Sequence, residues 1–207
     1  MVARQEMRPS AGAPTPPAEF REAVTAMQRA RLRPEIVCEQ MPAPQRIAPW
    51  SYAVSADVVV EHDELATGRL ILLHDPAGND TWEGTFRCVA YARAEVESEL
   101  AGDDMVGSAT WSILTEHLES HGAAWTAESG TVTRITTESF GGMDDEPLTV
   151  QVEIRASWTP LAADGLGTPD LEPHVGAWAD LLCMTGGLSP VPDGVAMMPS
   201  RRGQRGH

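Results

Sequence analysis

The feature that most constrains this chain is a strict alternation of apolar and polar residues in two long runs. Leu148, Val150, Val152, Ile154, Ala156 and Trp158 alternate with Thr149, Gln151, Glu153, Arg155, Ser157 and Thr159. Between residues 82 and 97, Phe86, Cys88, Ala90, Ala92, Ala94 and Val96 alternate in the same way with Arg87, Val89, Tyr91, Arg93, Glu95 and Glu97. Successive side chains of a strand point to opposite faces, so a period of two means a strand buried on one side. Two such runs commit the chain to a sheet with one apolar and one polar face.

The rest of the chain fits around that sheet. Phe20, Ala23, Val24 and Met27 fall on one helical face, between Pro16-Pro17 and Pro34, which predicts a helix over 17–32. A proline-spaced connector over 34–49 follows, then a half-buried strand starting at Trp50 and a polar turn at 61–67. GRLILL, residues 68–73, reads as a short central strand, and HDPAGND, residues 74–80, as a tight turn. Asp103 or Asp104 can cap a second helix over 104–121 that Gly122 ends. A β-branched strand over 131–140, the alternating strand over 148–159, and a last helix opening at Thr168-Pro169 and stopping at Gly186-Gly187 complete the order. Strands joined by short polar turns pair antiparallel. The expectation is an α+β domain over 17–196, order α-βββ-α-ββ-α, with about five antiparallel strands and helices on one face. Residues 1–16 and the basic 197–207 read as disordered tails.

Charge removes whole classes of function. Thirty acids stand against fifteen bases, a net charge of −15, and every base is an arginine. Nucleic-acid binding draws on cations that neutralise phosphates, so an acidic body argues against it. Without lysine there is no Schiff-base or pyridoxal phosphate chemistry and no P-loop lysine. There is likewise no G-x-G-x-x-G after a strand and no G-x-S-x-G, so no cofactor is expected. Cys38, Cys88 and Cys183 are sparse and hold no C-x-x-C, which fits a reducing cytosol. No apolar run has membrane-spanning length, so a cytoplasmic protein without a membrane partner is expected.

Three groups of residues are candidates for chemistry. The polar sheet face carries Arg87, Tyr91, Arg93, Gln151, Glu153 and Arg155, a surface that could hold a protein partner or a second copy. His117 and His121 stand four apart on the second helix, the spacing of a metal pair, although H-L-E-S-H is not H-E-x-x-H and a third ligand has to come from elsewhere. His74 followed by Asp75, with Asn79, Asp80 and Glu83 near, could form a carboxylate-oriented general base, although the same residues suit a tight turn. Cys88, on a small-residue strand face, reads as core rather than as a nucleophile.

PAEFREAVTAMQRARLRPE (17–35), GRLILLHDPAGNDTWEGTFRCVAYARAE (68–95), HGAAWTAESGTVTRITTESFGGM (121–143), VEIRASWTP (152–160) and AWADLLCMTGGL (177–188) carry a resemblance. Over roughly 17–199 the chain resembles an actinobacterial family described as a domain of unknown function, DUF3000. That resemblance implies no activity, catalytic residue or cofactor. The element order is also similar to that of type III secretion chaperone-like domains, which hold protein partners, an analogy of topology alone. The expectation is a non-enzymatic cytosolic interaction domain, adaptor or chaperone-like. The alternative is a small hydrolase or metal-dependent enzyme using His74 and Asp75 or His117 and His121.

Overall fold

A computed structural model describes residues 15–44, 46–162 and 167–190. The tail expected over 197–207, and that over 1–16 except its last two residues, lie outside the described residues. The elements run α1 (Ala18–Arg29), β1 (Ile36–Met41), β2 (Trp50–Val60), β3 (Asp63–Asn79), β4 (Gly84–Val96), α2 (Val106–Ser120), β5 (Trp125–Thr137), β6 (Thr149–Pro160) and α3 (Glu172–Thr185). Short 3₁₀ turns at Ser98–Gly102 and Gly141–Met143 punctuate the loops. The strands form one antiparallel sheet in the order β1-β2-β3-β4-β6-β5, with β6 between β4 and β5.

The architecture is α+β, as the alternation requires, with six strands where about five were expected. The additional strand, β1, lies inside the proline-spaced connector. It is an edge strand of which only Ile36 is buried, so its sequence IVCEQM carries no alternation to read. β3 is also longer than GRLILL: it runs on through His74 to Asn79, and the reversal falls at Asp80–Glu83 instead of across 74–80. The ladder with β4 is irregular between His74 and Asn79, which is how an Asp-Pro pair is held within a strand. β5 starts at Trp125, ahead of the β-branched run that signalled it.

The helices share one face of the sheet. On that side β3 presents Ala66, Gly68, Leu70 and Leu72, while β4 presents Phe86, Cys88, Ala90, Ala92 and Ala94, all buried. This floor of small residues lets α3 approach closely. A Cβ on Gly68 would stand 2.5 Å from Leu182 Cδ2 and 2.8 Å from the Tyr91 carbonyl oxygen, so only glycine fits. Ala177, Trp178, Leu181 and Leu182 of α3 are fully buried on it, and the Trp178 indole N–H donates to the Tyr91 carbonyl at 3.3 Å. α1 adds Phe20, Ala23 and Met27, and α2 adds Leu114 and Leu118 to the same core. Asp103 Oδ1 accepts from the Met105 amide at 2.8 Å at the entry to α2, and Gly122, at φ 67°, ends that helix in the left-handed region.

Inside the core the Trp158 indole N–H of β6 donates to His174 Nδ1 of α3 at 3.0 Å. Burial holds the His174 imidazole neutral by lowering its pKa from 6.5 to about 4. The unfolded chain therefore takes up a proton that the folded chain refuses. Stability is complete above about 6.5 and falls as pH drops toward about 4. We expect this group to account for a loss of about 3 kcal/mol over that interval. Urea unfolding of wild type and His174→Asn across the interval checks it: the variant has the flatter pH dependence, and parallel curves would exclude the mechanism.

Candidate functional site

The face opposite the helices is where the sheet-face candidates converge. The registers place Ser55, Arg69, Tyr91, Arg155 and Thr131 in one row across five strands, and Asp57, Thr67, Arg93, Glu153 and Thr133 in the next. Side chains along these rows bond one another. The Tyr91 hydroxyl donates to Glu153 Oε1 at 3.0 Å, Arg155 donates to Glu153 Oε2 at 3.1 Å, and Arg93 donates to Gln151 Oε1 at 2.7 Å. The Arg155 guanidinium also lies over the Tyr91 ring, 5.7 Å from its centre. Burial, and then the bond to Glu153, push the Tyr91 phenol up. Arg93 and Arg155 are exposed, so their charges reach solvent although each has a neighbour.

Arg87 sits differently. It is 6% exposed and has four neutral acceptors: the Ala127 carbonyl at 2.7 Å, Ser157 Oγ at 2.8 Å, Ser129 Oγ at 3.1 Å and Thr159 Oγ1 at 3.2 Å. Burial lowers its pKa. Ala127 adopts φ 52° within the irregular stretch of β5 between Thr126 and Ser129. That distortion turns its carbonyl toward the guanidinium. Arg87 thus works as a clamp from β4 across β6 to β5, with its donors committed inside the protein. The clamp includes Thr159, whose hydroxyl donates onward to the Trp82 carbonyl.

The second candidate pair also has a cavity. His117 and His121 border a cleft of about 530 Å³ with Arg33, Glu116, Ser120, Asp180, Cys183 and Met184. His121 Nε2 is 2.7 Å from Asp180 Oδ2, an ion pair whenever the ring is protonated. Its ring rests on Gly176, where a Cβ would stand 2.6 Å from both Cε1 and Nδ1. Gly176 and Asp180, one turn apart on α3, thereby seat and orient this histidine. Burial, followed by the charge of His121, outweighs Asp180 and Glu116 and lowers the His117 pKa. The Cys183 thiol, 1% exposed, is pushed up to about 11 by burial despite Arg33, so it stays protonated at neutral pH. Arg33 itself bonds Glu35 and donates to the Ser189 carbonyl at 3.0 Å. Among the described residues no three His, Cys, Asp or Glu side chains are grouped to hold a metal ion.

The third candidate pair is separated. His74 is 1% exposed and stacked between Phe20 and Phe86, at 5.9 and 4.1 Å between ring centres. Its Nδ1 lies 3.0 Å from the Thr85 carbonyl, which can only accept, so Nδ1 carries the hydrogen. Among the described residues Nε2 has no hydrogen-bond partner, with Glu19 Oε1 at 3.5 Å. Asp75 turns away and accepts from the Ala77 amide at 3.0 Å. Cys88 is buried in the core, and burial raises its pKa. Sequence reasoning missed Asp180, Gly176 and the Ala127 turn. A glycine and an acid four apart on an apolar helix were the only trace of the first two.

Arg87→Ala orphans four acceptors at once and opens the junction of three strands. We expect it to cost about 2–4 kcal/mol, measured by urea unfolding, and Arg87→Lys, with a single ammonium, to recover less than half of the loss. A change within about 0.5 kcal/mol for Arg87→Ala would show that the clamp is not structural.

No match was found among curated proteins or among solved structures. Residues 16–196, nearly all of the chain, match the family described as protein of unknown function, DUF3000. The chain belongs to that family.

Proposed function

We propose that the protein is a non-enzymatic, cytosolic protein-interaction domain whose working surface is the open face of the sheet. The observation that supports this reading is the charge on that face. Across its centre, on β3, β4 and β6, it carries Arg69, Arg87, Arg93 and Arg155 against Glu95 and Glu153, with Asp57 and Glu39 on the flanking β2 and β1, in a protein of net charge −15. Arginine planted on a rigid sheet, with its stem laid along neighbours, is suited to carboxylates of a partner segment. The partner chemistry that fits is therefore an acidic stretch of protein. Because Arg87 is committed to the clamp, Arg93, Arg155 and Arg69 are the residues that meet it. Arg93→Glu with Arg155→Glu changes two exposed side chains, so the fold is expected to survive, checked by an unchanged urea midpoint. Native mass spectrometry of the tagged protein, drawn gently from the cells that make it, then decides. A protein-sized adduct on wild type that the double variant loses is the expected result, and wild type without any adduct would sink the reading.

One observation favours a second reading, a small hydrolase at the cleft. His121 is oriented by Asp180 beside a cavity of small-molecule size. Its counterpart at His74 and Asp75 has no such support, since the ring is walled in by aromatic residues. The test is turnover of p-nitrophenyl acetate and p-nitrophenyl phosphate by wild type and His121→Asn. Turnover that the variant loses moves the function to the cleft; equal traces of release in both count against it.

A further inference from the structure

We propose that the protein pairs with a second copy of itself through the free edge of β5, joining two sheets into one. The two edges of the sheet are built differently. β1 has six residues, carries Glu39 and is followed at once by Pro42, which are ordinary means of blocking edge pairing. β5 has thirteen residues, and from Glu128 to Thr137 all are exposed except the partly buried Val132. After its distortion it pairs regularly with β6 from Ser129 to Thr137. That stretch, SGTVTRITT, has no proline and a single charge, Arg134, whose guanidinium is already turned onto the Asp103 carbonyl. In a protein with a net charge of −15 the regular stretch itself holds no acid, with Glu128 and Glu138 bordering it at either end.

The strip is also complementary to itself. A two-fold axis normal to the sheet through Thr133, the midpoint of the regular stretch, sets Thr131 opposite Ile135, Val132 opposite Arg134, and Thr133 opposite its own copy. Thr131 with Ile135 and Thr133 with its copy are antiparallel β-branched pairs, the favourable kind, and the axis repeats every contact but the central one. A register centred on Arg134 would set two arginines face to face within the regular stretch, whereas the axis through Thr133 brings only Glu128 and Glu138, outside that stretch, across from one another. Exposed apolar side chains occur on β5 at Ile135, in the loop after it at Phe140 and Met143, and at Met105, two residues from the Asp103 to which Arg134 is tied. Phe140 is the most exposed of them, at 77%. The same axis keeps both open faces on one side.

The pairing goes beyond the reading of the sheet face and does not need it, because it involves the backbone of β5 and not Arg93 or Arg155. Sedimentation equilibrium of purified full-length protein, from about 1 to 100 µM as befits moderate self-association, reads the oligomeric state directly. The expected result is a dimer, with amides of 129–137 protected from hydrogen exchange more strongly as concentration rises. Thr133→Lys places two like charges across the axis and is expected to raise the dissociation constant at least tenfold. Val37→Lys on the opposite edge should leave it unchanged, and far-UV circular dichroism should show both variants folded. A wild type monomeric throughout overturns the proposal. So does a dimer indifferent to Thr133→Lys, a dimer broken by Val37→Lys, or an edge occupied only by a different protein.

Discussion

The close seat of α3 on β3 and β4 is the constraint from which the rest of the molecule follows. Gly68 and the alanines of β4 leave no side chains to hold a helix away, so Trp178 and Leu182 reach the backbone level of the sheet. Close packing of this sort buries apolar area that a larger floor would forfeit to voids. With α3 fixed at the centre, α1 and α2 both pack against it, and the end of α2 meets α3 and Arg33 at the cleft that holds His121 and Asp180. The opposite face of the sheet is left for whatever polar chemistry the alternation put there.

The legible part of this fold was the part in which burial is periodic. β4 and β6 are central strands with one face in the core, and their alternation gave their extent to within a few residues. β1 was invisible because an exposed edge strand buries only Ile36 and has no pattern to offer. The extension of β3 was hidden by Asp75-Pro76 and Gly78-Asn79, residues that prefer turns and are held here in an irregular strand end. Local preference pointed one way, and pairing with β4 together with the stacking of His74 between two phenylalanines decided the other.

The candidate residues divide by the same physics. Residues of one strand face were bound to stay together, so Tyr91, Arg93, Glu153 and Arg155 were readable as a group from spacing alone. Spacing did not reveal that Arg87, on the same face of β4, is spent inside the protein, because two of its acceptors come from the distorted start of β5 far along the chain. His117 and His121 lie on one helix and were readable as a pair. The partner that matters to His121, Asp180, arrives from another helix by tertiary packing.

The Arg87 clamp has a consequence for how the molecule assembles. Its acceptors on β5 lie beyond β6, so the guanidinium of β4 reaches them only once β6 is in place between the two. β6 follows β5 in the chain, which means that β5 has to wait for a later segment before its alignment is secured. A strand displaced by even a single residue would leave Arg87 facing the wrong carbonyl, stranding a cation in the interior. The clamp therefore makes the register of the edge strand depend on a residue two strands away, one that the edge strand does not itself touch along its ladder.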